Sequence, residues 1–383
     1  MLRFLACLAV SVSAAAEPVT GFVFLDRNGN GARDANEPGL PSIVVSNQQD
    51  VVKTGADGRY TLPGPGTGVV FVRQPRGHRA VGGFWRPAAA TVDLPLATAP
   101  DGETFSFIHA SDTHISEASV GRTRMLAAIV AERKPDLVLI TGDLVKDALR
   151  VPETEARSYY DLFVKEIAAF TAPVWTAAGN HENFGIERHL SLVSAQHPLY
   201  GKGMYRRYLG PNYYSFDRGK IHFIALDTVD IDDLRYYGHM DAAQLAWLEK
   251  DLAEVPPGTT VVTFDHIPFF AARMAVDEFM EEGAAPSTIK VGGKMAYRHV
   301  VSNAREVLTR LKNYRYTLAL GGHFHAFERL DLQTGPTKTR FHLTAAVVGP
   351  NSGVVSSPSG VTLYRVNGDT IDDGEFIGLD KAK

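Results

Sequence analysis

Hydrophobic and polar positions change their rhythm near residue 100. Between residues 17 and 97, apolar residues come in short runs broken by Gly, Pro and Asp, with no helical spacing. Residues 21–25, 43–46 and 59–62 read as strands, with a turn at Asp57-Gly58 between two of them. Short strands separated by turn signals predict a small all-β sandwich over 17–97. Pro100, Asp101 and Gly102 mark residues 98–103 as a linker. From 104 to 383, apolar strands alternate with stretches whose apolar residues recur at helical spacing. Strands are expected at 105–110, 136–140, 173–177, 261–264 and 316–320, and helices at 123–132, 155–170 and 241–252. A hairpin over 216–226 turns at Asp217-Arg218-Gly219. This order predicts an α/β, two-sheet sandwich with flanking helices, preceded by the small all-β domain.

The first sixteen residues follow another pattern. Arg3 precedes an apolar run over 4–12, and Ala14-Ala15-Ala16 stand before Glu17, the layout of a cleaved export signal. That run is shorter than the roughly 20 residues of a spanning helix. The single cysteine, Cys7, lies inside it, so a mature chain has no disulfide or thiol chemistry. An exported protein, periplasmic or secreted, with no membrane span is expected. Composition sets wider bounds. The chain has 383 residues, 45% hydrophobic and 21% charged, enough for two or three domains and too apolar for disorder. Its 39 basic and 43 acidic residues give −4, no ground for a nucleic-acid duplex as partner. An anionic substrate needs a local positive centre.

Expected strands of the second region run into polar clusters. These are Asp112-Thr113-His114, Gly142-Asp143, Gly179-Asn180-His181-Glu182, His266 and Gly322-His323-Phe324-His325. Carboxyl ends of strands are where α/β folds collect ligand sites. Five of the 13 histidines fall in these clusters, whereas His222 and His342, inside expected strands, read as core histidines. Carboxylate, imidazole and amide oxygen together suit a borderline divalent ion such as manganese, zinc or iron. Seven candidate ligands exceed the needs of one metal and suffice for two if a carboxylate is shared. Two such ions form the clamp used for in-line displacement at phosphorus.

The segments SDTH, TGDLV, AGNHE, DHIP and GGHFH, in that order, resemble the motifs of the calcineurin-like metallophosphoesterase superfamily. The resemblance implies one divalent transition metal on Asp112, His114, Asp143 and His325. It implies a second on Asp143, Asn180, His266 and His323, with Asp143 bridging. It further implies a metal-bridging hydroxide attacking a small phosphoester in line, with His181 off the metals and facing the substrate as the catalytic proton donor. Glu182 is expected to orient His181 or a neighbouring ligand. Lys146 stands where purple acid phosphatases carry a tyrosine, against a ferric–tyrosinate site. What remains is an exported phosphomonoesterase or phosphodiesterase, with a nucleotide or cyclic-nucleotide phosphodiesterase as one alternative. Another class is a calcium-stabilised surface binding protein with a vestigial phosphoesterase domain.

Two insertions, 184–212 and 269–299, are expected to rim the cleft. In the first, Arg206 and Arg207 are candidates for a second phosphate or for a solvated face, and Tyr200, Tyr205 and Tyr208 for base stacking or packing. In the N-terminal region Asp26, Asn28, Asn30, Asp34 and Glu37 fit the spacing of a calcium loop, with Gly31 at its sharp turn. A structural calcium ion there is the expectation.

Overall fold

The computed structural model describes residues 17–274, 288–334, 337–350 and 356–379. The expected export segment, 1–16, and part of the second insertion lie outside them. Eight short strands come first: β1 (Val19–Leu25), β2 (Val44–Ser46), β3 (Val51–Lys53), β4 (Arg59–Leu62), β5 (Val69–Val72), β6 (His78–Ala80), β7 (Trp85–Pro87) and β8 (Leu94–Thr98). They form two four-stranded sheets, β4-β1-β8-β6 and β3-β2-β5-β7. Val23, Val45, Tyr60, Leu62, Val70 and Leu94 fill the space between them, the inward set of a period-two pattern.

The larger region holds two six-stranded sheets. One contains β9 (Thr104–Ala110), β10 (Leu137–Thr141), β11 (Val174–Ala177), β22 (Gly360–Asn367), β23 (Thr370–Ile371) and β24 (Glu375–Gly378). The other has the order β12-β13-β16-β19-β21-β20, made of β12 (Tyr214–Arg218), β13 (Ile221–Ala225), β16 (Thr260–Phe264), β19 (Arg315–Gly321), β20 (Glu328–Thr334) and β21 (Thr337–Leu343). Alternation explains why both faces of the first sheet are covered. Phe107 of β9 and Leu139 of β10 point between the sheets, onto Phe223 and its neighbours. Ile108, Ala110, Val138 and Ile140 point outward under the helices α1 (Val120–Arg133) and α2 (Glu153–Ile167). Two short helices follow, α3 (Arg188–Ser191) and α4 (Gly203–Leu209). On the far side lie α5 (Ala242–Leu252), capped by Asp241 accepting the Gln244 N–H, and α6 (Ala304–Leu311). This is the two-sheet sandwich with flanking helices read from the sequence. The sequence-based boundaries of the matched elements lie within three residues of those observed. Two hairpins, β14 (Val229–Asp232) with β15 (Arg235–Gly238) and β17 (Thr288–Val291) with β18 (Lys294–Tyr297), were outside that reading.

The front sheets are packed onto the larger region. Phe84 sits 4.8 Å from both Trp175 and Tyr214, and Phe71 belongs to the same buried cluster as Trp247. Polar bonds follow: Trp247 Nε1 donates to Ser46 Oγ at 3.1 Å, and Tyr213 Oη donates to the Gln48 carbonyl at 2.8 Å. Arg73, nearly buried, reaches Asp251 and Asp217 at 3.4 and 3.5 Å.

Candidate metal centre

The strands that feed the site are parallel within each sheet: β9, β10 and β11 in one, β16 and β19 in the other. Asp112 and His114 follow β9, Asp143 follows β10, Asn180 and His181 follow β11, His266 follows β16, and His323 and His325 follow β19. Each turn out of its strand is sharp. Asp112, His114, Asp143, His323 and His325 all adopt positive φ, between 38° and 73°. Asp and His tolerate this region better than most side chains, yet each such residue costs about 1–3 kcal/mol. Amide bonds hold the conformations: Asp112 N–H donates to the Gly142 carbonyl at 3.0 Å and His114 N–H to the Asp143 carbonyl at 2.9 Å.

The side chains gather in two groups. In one, His114 Nε2 is 3.1 Å from His325 Nε2, which is 3.3 Å from Asp112 Oδ1. In the other, His266 Nε2 is 3.0 Å from Asn180 Oδ1 and 3.2 Å from both Asp143 Oδ2 and His323 Nδ1. Asp143 Oδ2 is also 3.7 Å from His114 Nε2, so this carboxylate stands between the groups.

The donor set tests whether cations belong here. His266 Nδ1 lies 2.8 Å from the Thr141 carbonyl and therefore carries the ring proton, leaving a lone pair on Nε2. Asn180 Oδ1, Asp143 Oδ2 and His323 Nδ1 face that lone pair, so acceptor meets acceptor. Asp112 Oδ1 is buried and has no hydrogen-bond partner. A pair of divalent cations fits both observations. Without them, protons balance the charge. Burial lowers the pKa of His266, but Asp143 and Asp112 outweigh it and lift the imidazole to about 10. Burial raises Asp112, and His325 and His266 pull it down to about 2. Burial brings His114 to about 4. The packing leaves no slack: a Cβ at Gly142 would lie 2.6 Å from the His266 ring, and one at Gly179 would lie 2.2 Å from the Asp143 amide nitrogen.

His181 stands beside the groups, with Nε2 3.9 Å from Asp143 Oδ2 and its ring edge-on to His114 at 4.6 Å. Its backbone N–H donates to Asp143 Oδ1 at 2.9 Å, while ring Nδ1 makes no hydrogen bond. It lines a cleft of about 380 Å³ together with His114, Asp143, Asn180, His323 and His325. Tyr236, Arg273, His299 and Phe324 line the same cleft. Arg273 and His299 belong to the 269–299 insertion expected to rim the cleft, although neither was singled out by itself, and Tyr236 lay outside that expectation. Their signal is tertiary: Tyr236 arrives on the β15 hairpin, and His299 on the segment after β18.

Several expectations are corrected. Of the two roles expected for Glu182, it takes the second: it serves the neighbouring ligand Asp143 rather than His181, being buried and accepting N–H bonds from Asp143, Leu144, Val145 and Gly179 and so tying two ligand loops together. The first insertion supplies none of the cleft-lining residues. Arg206 donates to Asn212 Oδ1, and Arg206 and Arg207 line a separate hollow beside Trp85. Tyr205 is buried on Thr176, Tyr208 stacks on Tyr160 and Tyr200 bonds Arg188, so all three pack. His222 and His342 are core histidines, as expected, bonded to Asp217 and Tyr364. In the 26–37 loop the oxygens of Asp26 accept from the Gly29 and Gly31 amides, and those of Glu37 from Arg27 and Asp34. Asn28 and Asn30 accept from the amides of residues 30 and 32, and each donates to Asp34 Oδ2.

Comparison with known proteins gives the family. Residues 105–327 match the family model described as calcineurin-like phosphoesterase. A 3',5'-cyclic-nucleotide phosphodiesterase of Nostoc sp. is 26% identical over 191 residues, covering 50% of this chain and 56% of its own. The 3',5'-cyclic adenosine monophosphate phosphodiesterase CpdA of Escherichia coli is 26% identical over 200 residues, covering 51% and 56%. The chain thus spans about half the length of the curated relatives it matches. Among solved structures, a purple acid phosphatase from yellow lupin (Lupinus luteus) aligns with TM-score 0.49 at 14% identity, covering 92% of this chain and 69% of that one.

Proposed function

The chain belongs to the calcineurin-like phosphoesterase family, and from that premise we propose that it is an exported hydrolase of small phosphoesters working with two divalent transition metals. The supporting observation is the approach of Asn180 Oδ1, Asp143 Oδ2 and His323 Nδ1 to within 3.2 Å of His266 Nε2, a buried donor set whose chemistry suits a divalent cation. Asp112, His114, Asp143 and His325 would hold one ion, and Asp143, Asn180, His266 and His323 the other. Bound there, such ions polarise phosphoryl oxygens and make water a nucleophile near neutral pH.

The chain's own groups supply the rest. Asp143 offers its carboxylate between the groups, and Glu182 fixes the Asp143 backbone so that it cannot turn away. Arg273 adds a positive charge to the cleft wall, where it would face an oxygen of a bound phosphoester. His181 hands a proton from its ring to the departing oxygen as the P–O bond breaks. Diesters are the preferred substrates in this proposal, cyclic nucleotides among them, a choice supported by the activities of the Nostoc and E. coli relatives. Export is supported by the pattern of residues 1–16. Among the described residues no helix is long and apolar enough to cross a membrane. The 26–37 loop is proposed to hold one structural calcium ion, supported by its spacing of oxygen ligands alone.

The test is direct. Chelator-stripped protein should be inactive on aryl phosphate monoesters, aryl diesters and cyclic nucleotides, and manganese or zinc should restore hydrolysis. Metal-replete protein that cleaves none of them would overturn the proposal.

A further inference from the structure

The segment after β18 brings a histidine to the back of a metal-facing one. Its course is fixed by backbone bonds: Val301 N–H donates to the Pro268 carbonyl at 3.0 Å and Ser302 N–H to the Gly238 carbonyl at 2.8 Å. Arg298 lies over the Tyr236 ring at 4.8 Å, and Tyr236 stands edge-on to both His299 and His323. Held in this way, the His299 ring stacks on His323 at 5.0 Å, and its Nδ1 is 2.7 Å from His323 Nε2.

Two imidazole nitrogens at that separation share one proton, and the other end of His323 decides which ring owns it. His323 Nδ1 faces His266 Nε2 and Asp143, where its lone pair is needed. Its proton therefore sits on Nε2, pointing at His299. We propose that His299 is a positioning residue: by accepting the His323 Nε2–H bond it fixes the tautomer and the aim of His323 Nδ1 toward the Asp143–His266 metal position. This rests on the two-metal reading above. Groups that hold the far nitrogen of a ligating histidine typically carry 10–100-fold in metal affinity.

Titration of chelator-stripped full-length protein with manganese, followed by calorimetry, gives the test. Wild type should bind two ions. His323→Ala should lose one. His299→Leu should weaken one position about 10- to 100-fold and leave the other, built from Asp112, His114 and His325, unchanged. His299→Asn, which puts an acceptor oxygen where Nδ1 was, should recover most of that affinity. Unchanged binding in His299→Leu overturns the inference, and so does equal weakening of both positions that His299→Asn fails to restore. Fewer than two ions in the wild type would instead sink the two-metal reading, a separate outcome.

Discussion

Asp143 Oδ2 lies 3.2 Å from His266 Nε2, and the same oxygen faces His114 from the other side. One carboxylate thus balances charge for both groups of ligands. Asp143→Asn keeps the shape and removes the charge. It should lower hydrolysis by about three orders of magnitude or more, with loss of bound metal at both positions. Metal analysis beside rate measurement checks this; a variant that keeps two ions and its rate contradicts the bridging role.

His181→Ala tests the proton donor. Its ring carries none of the close ligand contacts, so metal content should stay at the wild-type value. The rate should fall about 10²–10⁴-fold on esters with alkyl leaving groups and much less on nitrophenyl esters, whose departing oxygen needs no proton. Equal losses on both kinds of ester would assign His181 to something other than leaving-group protonation.

Gly142→Ala tests the packing behind the ligands. Gly142 has φ of +81°, and an added Cβ would press on the His266 ring. Overpacking of this kind costs about 1–3 kcal/mol, before the strain of the left-handed backbone. Urea unfolding should show the loss, and metal titration a weakened position at His266. A variant as stable as wild type would mean that the loop relaxes freely.

His222 gives a pH signature away from the metals. It is fully buried, with Nδ1 2.7 Å from Asp217 and Nε2 3.1 Å from Asp251. Burial lowers its pKa, but the two carboxylates outweigh that and raise it above the ordinary value. A folded pKa above the unfolded value of about 6.5 gives stability that is complete below that pH and fades as pH rises through the folded pKa. The stability difference between wild type and His222→Gln should therefore shrink on the alkaline side of neutrality. Breaking such a buried network costs about 3–5 kcal/mol when charged. A pH-independent difference would show that His222 is neutral.

Much of this was legible in the sequence, because strands buried on both faces are apolar runs and the polar residues closing them stand out. Asp112, His114, Asp143, Asn180, His266, His323 and His325 were visible for that reason, and the structure brings all seven together. Tyr236 was not, and His299 was visible only as the end of an insertion expected to rim the cleft, since no local pattern says which side chain of a loop meets a strand end tens of residues away. Arg206 and Arg207 stayed open between a phosphate site and a solvated face for the opposite reason: charge is visible in sequence, but the direction it faces is not. Glu182 was noticed, yet its true partners are backbone amides, and these leave no trace in a string of side chains.

The aromatic junction of Phe71, Phe84, Trp175, Tyr214 and Trp247 sets how this protein can be cut and recombined. A fragment beginning at residue 104 would present a bare greasy wall to solvent and lose the counter-charge that Arg73 brings to Asp251. The front module is thus a buttress rather than a bead on a string. Any graft of it onto another hydrolase must carry its half of that wall along.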